Sequence, residues 1–203
     1  MIRIRYVSIG PFKRRKMKLC YTTSLNSGQG PNRPSGSIGG YISELTVRND
    51  EFDNLFGEIS VYGASKAKTE YRALALVNDS DQEATDVTLY MTTAGELNQG
   101  TLLIAPVAMN VDKEGRPVME RIPDIYSKPF VGDFQTTDSE NKLNIGAIPP
   151  NGSIGIWVCR QIDTDNVMKD YRDVAKPMEN KLYWFESVKK ETDESWQLNV
   201  EWN

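Results

Sequence analysis

Two apolar segments bounded by turn residues constrain the fold of this chain more than any other feature of its sequence. Residues 71–77 form a nearly continuous apolar run, and a turn-forming Asn-Asp-Ser-Asp cluster follows it. Residues 153–160 carry apolar side chains on both alternating sides and follow the turn sequence Pro-Pro-Asn-Gly at 149–152. A strand shows this pattern when both of its faces are buried, so each segment predicts a central strand of a sheet.

Further strand-like segments are short and evenly separated by turn residues, with almost no helical periodicity. We expect the strands at 71–77 and 87–92 to form a hairpin, because only a polar loop joins them. Pro106 predicts that its strand lies at an edge or contains a bulge. The pattern predicts an all-β fold, a mostly antiparallel β-sandwich of Ig-like or jelly-roll-like type with long loops. The further segments are 2–7, 17–23, 41–47, 59–62, 87–92, 101–108, 144–148, 182–188 and 196–202.

Residues 1–34 are predicted to form an N-terminal arm with a glycine- and proline-rich loop, and residues 35–203 the sandwich domain. The arm begins with alternating apolar and basic residues, as in a strand with one solvated face. Such an arm can add a strand to a neighbouring sheet. The basic run at 13–16 either contacts phosphate or an acidic partner or is a solvated loop. The residues predicted to make assembly contacts are Ile2, Ile4, Tyr6, Lys13, Arg14, Arg15 and Lys16.

The composition argues against several classes of protein. The chain has no histidine, which removes Ser-His-Asp and Cys-His catalysis and the commonest metal ligand. A net charge of -4 argues against general nucleic-acid binding, and no apolar run approaches the roughly 20 residues of a membrane-spanning helix. We therefore predict a protein that is not an enzyme, without a catalytic, cofactor or metal site and with neither nucleic acid nor a membrane as partner.

The cysteines and the N-terminus predict a protein of a reducing compartment. Cys20 and Cys159 both lie in apolar strand patterns, which favours two buried free thiols over a single disulfide. The first residues lack the apolar core of a signal peptide. We expect the chain to be made and used without Sec export.

Acidic and aromatic side chains leave other binding functions open. Acids cluster at 79–86 and 163–165 but lack EF-hand spacing, and turn formation explains them more simply than calcium binding. Glu70 and Arg72 share a strand face and could form ion pairs with neighbours, whereas a glycosidase would need two facing carboxylates. Alternating strand positions place the tryptophans in the core or at an interface more readily than on a carbohydrate platform. The four tryptophans are Trp157, Trp184, Trp196 and Trp202.

A set of short motifs occurs in a fixed order between residues 35 and 162. The most specific are Thr-Glu-Tyr-Arg at 69–72, the strand end Val-Asn at 77–78, and the Pro-Asn-Gly turn before Ile-Gly-Ile-Trp-Val at 154–158. Also present are Ile-Gly-Gly-Tyr-Ile at 38–42, Asn-Leu-Phe at 54–56, Ile-Ser at 59–60 and Asp-Val-Thr-Leu-Tyr at 86–90. In this order the motifs resemble a group of tailed-bacteriophage proteins described as virion structural proteins. That group usually has an acid and a glycine before the Thr-Glu-Tyr-Arg motif, and residues 62–68 of this chain depart from that pattern.

The resemblance implies a structural subunit of a bacteriophage virion, in the head, the head–tail connector or the tail, that acts by protein–protein assembly. Its partners would be copies of itself and other virion proteins, and its location the virion, after assembly in the host cytoplasm. The resemblance supplies no catalytic residues. The alternatives are a carbohydrate-binding module for adhesion to a host surface, a glycosidase, and a bacterial surface protein of Ig type, which the missing signal peptide disfavours.

Overall fold

The computed structural model describes residues 2–9, 17–29, 36–48, 54–57, 69–94, 100–130, 133–162 and 194–203. These ranges contain eleven β-strands and no α-helix. The strands are β1 (Ile2–Ile9), β2 (Met17–Thr23), β3 (Gly40–Thr46), β4 (Thr69–Asn78), β5 (Ala84–Ala94), β6 (Gly100–Val107), β7 (Asn110–Val111), β8 (Pro117–Met119), β9 (Leu143–Ile148), β10 (Ser153–Ile162) and β11 (Glu194–Glu201).

The strands form two sheets that make a β-sandwich. The larger sheet has the strand order β6-β10-β4-β2-β3-β8-β7, and its described pairings are all antiparallel. The smaller sheet has the order β1-β11-β5-β9, in which β1 runs parallel to β11 and the other pairs are antiparallel. The predicted all-β, mostly antiparallel sandwich is confirmed.

The main core lies between the two sheets. Leu74 of β4 and Ile156 of β10 meet Leu89 of β5 and Leu198 of β11, and each of these side chains is at most 1% exposed. Full burial of one such side chain stabilises a fold by about 1.5–3 kcal/mol. The facing sheets are therefore held together mainly by apolar contact.

A second, smaller core covers the outer face of the larger sheet. The alternate positions of β4 and β10 place Tyr71 and Trp157 there, and irregular segments fold over them. The segment that contains Ile122 is tied to the segment that contains Ile38, because the Ile122 N–H donates to the Ile38 carbonyl at 3.1 Å. The Tyr71 N–H of β4 donates to the Ile125 carbonyl at 2.7 Å. β4 and β10 are thus buried on both faces, which confirms that they are central strands.

The predicted hairpin between residues 71–77 and 87–92 is wrong, because the two strands belong to different sheets. β4 lies in the larger sheet and β5 in the smaller one, so residues 79–83 cross the sandwich. The side-chain amide of Asn78 donates to the Ile148 carbonyl of β9 at 3.0 Å and ties this crossing to the smaller sheet. Val87, Leu89 and Met91 of β5 then face the core from the side opposite β4.

Both strands of the predicted arm take part in the sheets. β1 is the terminal strand of the smaller sheet, and β2 lies between β4 and β3 in the larger one. Pro106 lies in β6, which is an edge strand, as predicted. The turn at 149–152 is also confirmed, since the Gly152 N–H donates to the Pro149 carbonyl at 2.9 Å and Asn151 has a φ of 56°. The strands predicted at 59–62 and 182–188 lie outside the described residues.

Candidate functional site

β1 carries three of the residues predicted to make assembly contacts, Ile2, Ile4 and Tyr6. Its parallel register with β11 runs without a break from Ile2, opposite Glu194, to Ile9, opposite Glu201. Within the described ranges no strand pairs with the opposite edge of β1, which we call the outer edge. A terminal strand presents alternate backbone N–H and C=O groups to any strand that approaches it. The predicted contacts at 13–16 lie outside the described residues.

β9, at the other edge of the smaller sheet, has an irregular backbone. Its pairing with β5 shifts register twice between Ala84 and Thr88. Gly146 has a φ of 81°, and its N–H donates to the side-chain oxygen of Asn144 at 2.8 Å. Bulges of this kind break the regular row of backbone groups that an added strand needs.

The two terminal strands of the larger sheet are covered or short. Ile104 of β6 exchanges two backbone hydrogen bonds of 2.9 Å with Gln135, and Pro106 in the same strand has no N–H. β7 consists of only Asn110 and Val111. Among the strands that the structure describes, β1 is therefore the terminal strand with a long and regular uncovered edge.

A buried charged cluster lies at one end of the main core. Glu70 of β4 is the direct cross-strand partner of Arg160 of β10, and the two form an ion pair. The Arg160 Nε donates to Glu70 Oε2 at 2.8 Å, and another guanidinium nitrogen donates to the Gly57 carbonyl at 3.0 Å. The expectation that Glu70 pairs with a neighbouring strand is thus confirmed.

The same cluster fixes the segment 54–57 between the sheets. Arg72 Nε donates to the Leu55 carbonyl at 3.1 Å, and the guanidinium carbons of Arg72 and Arg160 lie 5.6 and 4.8 Å from the ring centre of Phe56. Burial lowers the pKa of Arg72 to about 10, against an opposing effect of Glu70, so the guanidinium stays charged at neutral pH. These contacts join the Asn-Leu-Phe and Thr-Glu-Tyr-Arg motifs in space.

A second motif contact lies at the other end of β4. The side-chain amide of Asn78 donates to the carbonyls of Gln82, Ile148 and Pro149 at 2.8 to 3.1 Å, and its N–H donates to the Gly152 carbonyl at 2.9 Å. Asn78 is 2% exposed. The strand end at 77–78 and the Pro-Asn-Gly turn therefore meet, although about 70 residues of chain separate them.

The described tryptophans lie in the cores rather than on a surface platform. Trp196 and Trp202 belong to the main core and are 6% exposed, and Trp157 is fully buried in the second core. Trp157 lies between Ala73 and Ala105 of the flanking strands, which leave room for the indole. Trp184 lies outside the described residues.

The acidic cluster at 79–86 serves turns and surface ion pairs. Asp79 forms an ion pair with Lys18, and Asp86 accepts a hydrogen bond from the Asn203 side chain at 3.3 Å. No group of acids, cysteines or histidines in the described ranges could hold a metal ion. The acids at 163–165 lie outside these ranges. Nor do the described residues include a helix with the length and apolar character that crossing a bilayer requires.

Both cysteines are buried free thiols, as predicted. Burial raises the pKa of Cys20 and of Cys159 to about 11. A thiol with such a pKa is almost entirely protonated at neutral pH and reacts slowly.

Comparison of the chain with protein families, with curated proteins and with solved structures gives no match. The structure therefore assigns the protein to a fold class, the mostly antiparallel all-β sandwich.

Proposed function

We propose that this chain is a structural subunit of a bacteriophage virion, in the head, the connector or the tail, and that it acts by protein–protein assembly. The observation that carries the proposal is the outer edge of β1, a regular terminal strand of eight residues. Proteins usually protect a sheet edge of this length from pairing with other chains. The three other terminal strands described here are protected: β9 by bulges, β6 by a covering segment and β7 by its short length. Among the terminal strands in the described ranges, β1 has a long and regular outer edge with no paired strand, and a regular edge is what assembly by strand addition requires.

The residues that carry the motif resemblance also support the proposal. The side chains of Glu70, Asn78 and Arg160 make polar contacts that join distant segments of the sandwich. Side chains in such contacts are hard to replace one at a time, because an unpaired buried polar group costs about 1–3 kcal/mol. The resemblance therefore concerns residues that hold this fold together, in keeping with a shared scaffold.

The alternative, a module for adhesion to carbohydrate on a host surface, finds less support. Its strongest sequence feature was the set of four tryptophans, and the three described ones are buried. A glycan would have to use other aromatic side chains, such as Tyr126 and Phe130, which are 54% and 96% exposed. Glycan-array binding that is lost on Phe130→Ala would favour this alternative.

Quantitative mass spectrometry of purified particles tests the proposal. Particles of the phage that encodes the chain are washed at high salt and digested, and copies of the chain are counted against a known capsid protein. We expect a fixed copy number that survives the wash. A chain that is abundant in the infected-cell lysate and missing from the particles would contradict the structural role.

A further inference from the structure

β11 lies inside the smaller sheet, although it is the last described strand along the chain. It pairs in parallel with β1 on one side and antiparallel with β5 on the other. Just beyond the strand, Asn203 exchanges two backbone hydrogen bonds of 3.0 and 3.1 Å with Thr85. The place between β1 and β5, which we call the β11 site, therefore holds one extended segment by both of its edges.

One face of β11 forms part of the main core. Four alternate side chains of this segment belong to that core and are at most 6% exposed: Trp196, Leu198, Val200 and Trp202. Burial of large apolar side chains strongly favours a filled β11 site, and the backbone pairing with β1 and β5 sets the register. Because these contacts depend on the strand alone, β11 of any copy of the chain can make them.

The connection that leads to β11 is much longer than the structure requires. β10 ends at Ile162, which lies opposite Gly100 of β6. Ser195 of β11 lies opposite Ala94 of β5. Only five residues separate Ala94 from Gly100 along the chain, so Ile162 and Ser195 are at most about 33 Å apart. About ten extended residues span such a distance, whereas the connection 163–193 has 31 residues.

A connection of this length reaches well beyond its own domain. Fully extended, it spans about 100 Å, whereas the radius of gyration of a folded domain of this size is about 17 Å. The advantage of a chain's own strand over the strand of a neighbour falls as the connection becomes longer. Closely spaced copies therefore compete for each other's β11 site.

We infer that β11 of one copy fills the β11 site of a neighbouring copy, so that each smaller sheet is completed by a second chain. The inference deepens the proposed function and rests on it for the close spacing of copies in a particle. The exchange conserves the contacts of β11, since β1 and β5 receive the same strand in the same register. It joins copies without a new interface, as in other cases of domain swapping.

Cysteine cross-linking in assembled particles tests the inference on the full chain. Thr92 of β5 lies directly opposite Gln197 of β11, and both residues are half-buried. Strand positions that face each other directly are close enough for a disulfide. Particles with Thr92→Cys/Gln197→Cys are oxidised, denatured and analysed on a non-reducing gel. We expect the chain to run as disulfide-linked dimers or longer oligomers.

The matched control for cross-linking is Thr92→Cys/Lys113→Cys. It keeps the cysteine of β5 and moves the other one to an exposed position between β7 and β8 of the larger sheet. The exchange of β11 does not bring these two positions together. We therefore expect this variant to run as a monomer after the same oxidation.

Mixed refolding of two singly substituted chains tests the exchange without particles. Thr92→Cys and Gln197→Cys chains are unfolded and refolded together under reducing conditions, so that Cys20 and Cys159 are buried again before oxidation. A peptide that joins positions 92 and 197 then comes from two different chains. We expect this peptide in an amount that rises with the protein concentration during refolding. Chains that are refolded separately and then mixed should yield much less of it.

A monomeric, internally cross-linked Thr92→Cys/Gln197→Cys chain in particles would overturn the inference, because each copy would then fill its own β11 site. A cross-link from position 92 to a different protein would overturn it as well. Both results leave the proposed function intact, since the chain is present in the particles. If the chain is absent from particles, the proposed function fails, and mixed refolding alone decides on the exchange: no joined peptide at any concentration would contradict it.

Discussion

Glu70 and Arg160 lie directly opposite each other on two central strands and form an ion pair that is almost completely buried, with side chains 12% and 3% exposed. Taking both charges out of water is costly, and the pair repays this only through good geometry and further hydrogen bonds. Here Arg160 donates a further bond to the Gly57 carbonyl of the segment 54–57, and the neighbouring Arg72 donates to the Leu55 carbonyl of the same segment. The pair therefore fixes how that segment closes one end of the sandwich.

Removing one charge of this pair should destabilise the fold strongly. Arg160→Met leaves the Glu70 carboxylate buried without its partner, and we expect a loss of about 3–5 kcal/mol in the free energy of unfolding. Lys142→Met is the matched control, because Lys142 and Glu201 pair at the surface with side chains 32% exposed, where a pair contributes at most about 1 kcal/mol. Urea unfolding measures both losses.

The double variant Glu70→Met/Arg160→Met tests whether the two charges are energetically coupled. Because it removes both charges, its loss in the free energy of unfolding should be smaller than the sum of the losses of the two single variants. Equal losses for Arg160→Met and Lys142→Met, or full additivity in the double variant, would show that the buried pair is not coupled as described.

Asn78→Ala should destabilise the crossing between the sheets. The change removes donors to three carbonyls and leaves these acceptors in a buried site, so we expect a loss of about 2–4 kcal/mol. Asn110→Ala, at an exposed position of β7, should stay within about 0.5 kcal/mol of the unchanged chain. Thermal unfolding compares the two, and a similar melting temperature for both would contradict the prediction.

Two glycines with positive φ should respond differently to alanine. A Cβ at Gly40 (φ 101°) would lie 2.3 Å from the Thr23 carbonyl oxygen, whereas one at Gly115 (φ 78°) would meet no atom within 4 Å. Gly115→Ala should cost only the strain of a left-handed backbone, about 1–2 kcal/mol. Gly40→Ala should cost about 3 kcal/mol or more, because the β2–β3 backbone must also move. Denaturant unfolding that ranks Gly115→Ala as the more damaging would refute this.

The hairpin between β7 and β8 should lose stability in acid. Backbone hydrogen bonding from Arg116, together with its side chain, lowers the pKa of Asp112 from 3.8 to about 2. A carboxyl whose pKa is lower in the folded state stabilises the fold above its unfolded pKa, and this contribution disappears as the pH falls from about 4 to about 2. Asp112→Asn should therefore lower the melting temperature at pH 6. At pH 2 the melting temperatures of Asp112→Asn and of the unchanged chain should lie closer together than at pH 6.

The control for this titration is Asn110→Ala, a change at an exposed position of the same hairpin that removes no titrating group. Its difference in melting temperature from the unchanged chain should not depend on pH between 6 and 2. A constant gap between Asp112→Asn and the unchanged chain over this range would mean that the carboxylate charge is not what stabilises the hairpin.

Sequence reasoning identified the central strands because their pattern has a direct physical cause. Tyr71 and Leu74 lie on opposite faces of β4, each of which is buried, and this produces an apolar run without alternation. Pro106 marked an edge strand for an equally direct reason, since it lacks an N–H. The pairing of β4 with β10 was not predicted, because apolar patterns carry no information on which strands become neighbours.

The features that the sequence missed depend on contacts between distant residues. A polar loop such as 79–83 fits a hairpin and a crossing between sheets equally well, and only the burial of Val87 opposite β4 decides between them. The second core was missed because Ile38 and Ile122 lie in irregular segments without periodicity. The outer edge of β1 could not be recognised either, since a strand becomes terminal only through the positions of the others.

Hydrogen–deuterium exchange of residues 2–9, compared between the purified chain and assembled particles, tests the central claim most directly. If the outer edge of β1 is the assembly contact, alternate amides of β1 exchange quickly in the purified chain and become protected in particles, while those of β9 stay unchanged. Identical exchange of β1 in both states, in particles that contain the chain, would contradict assembly through this edge.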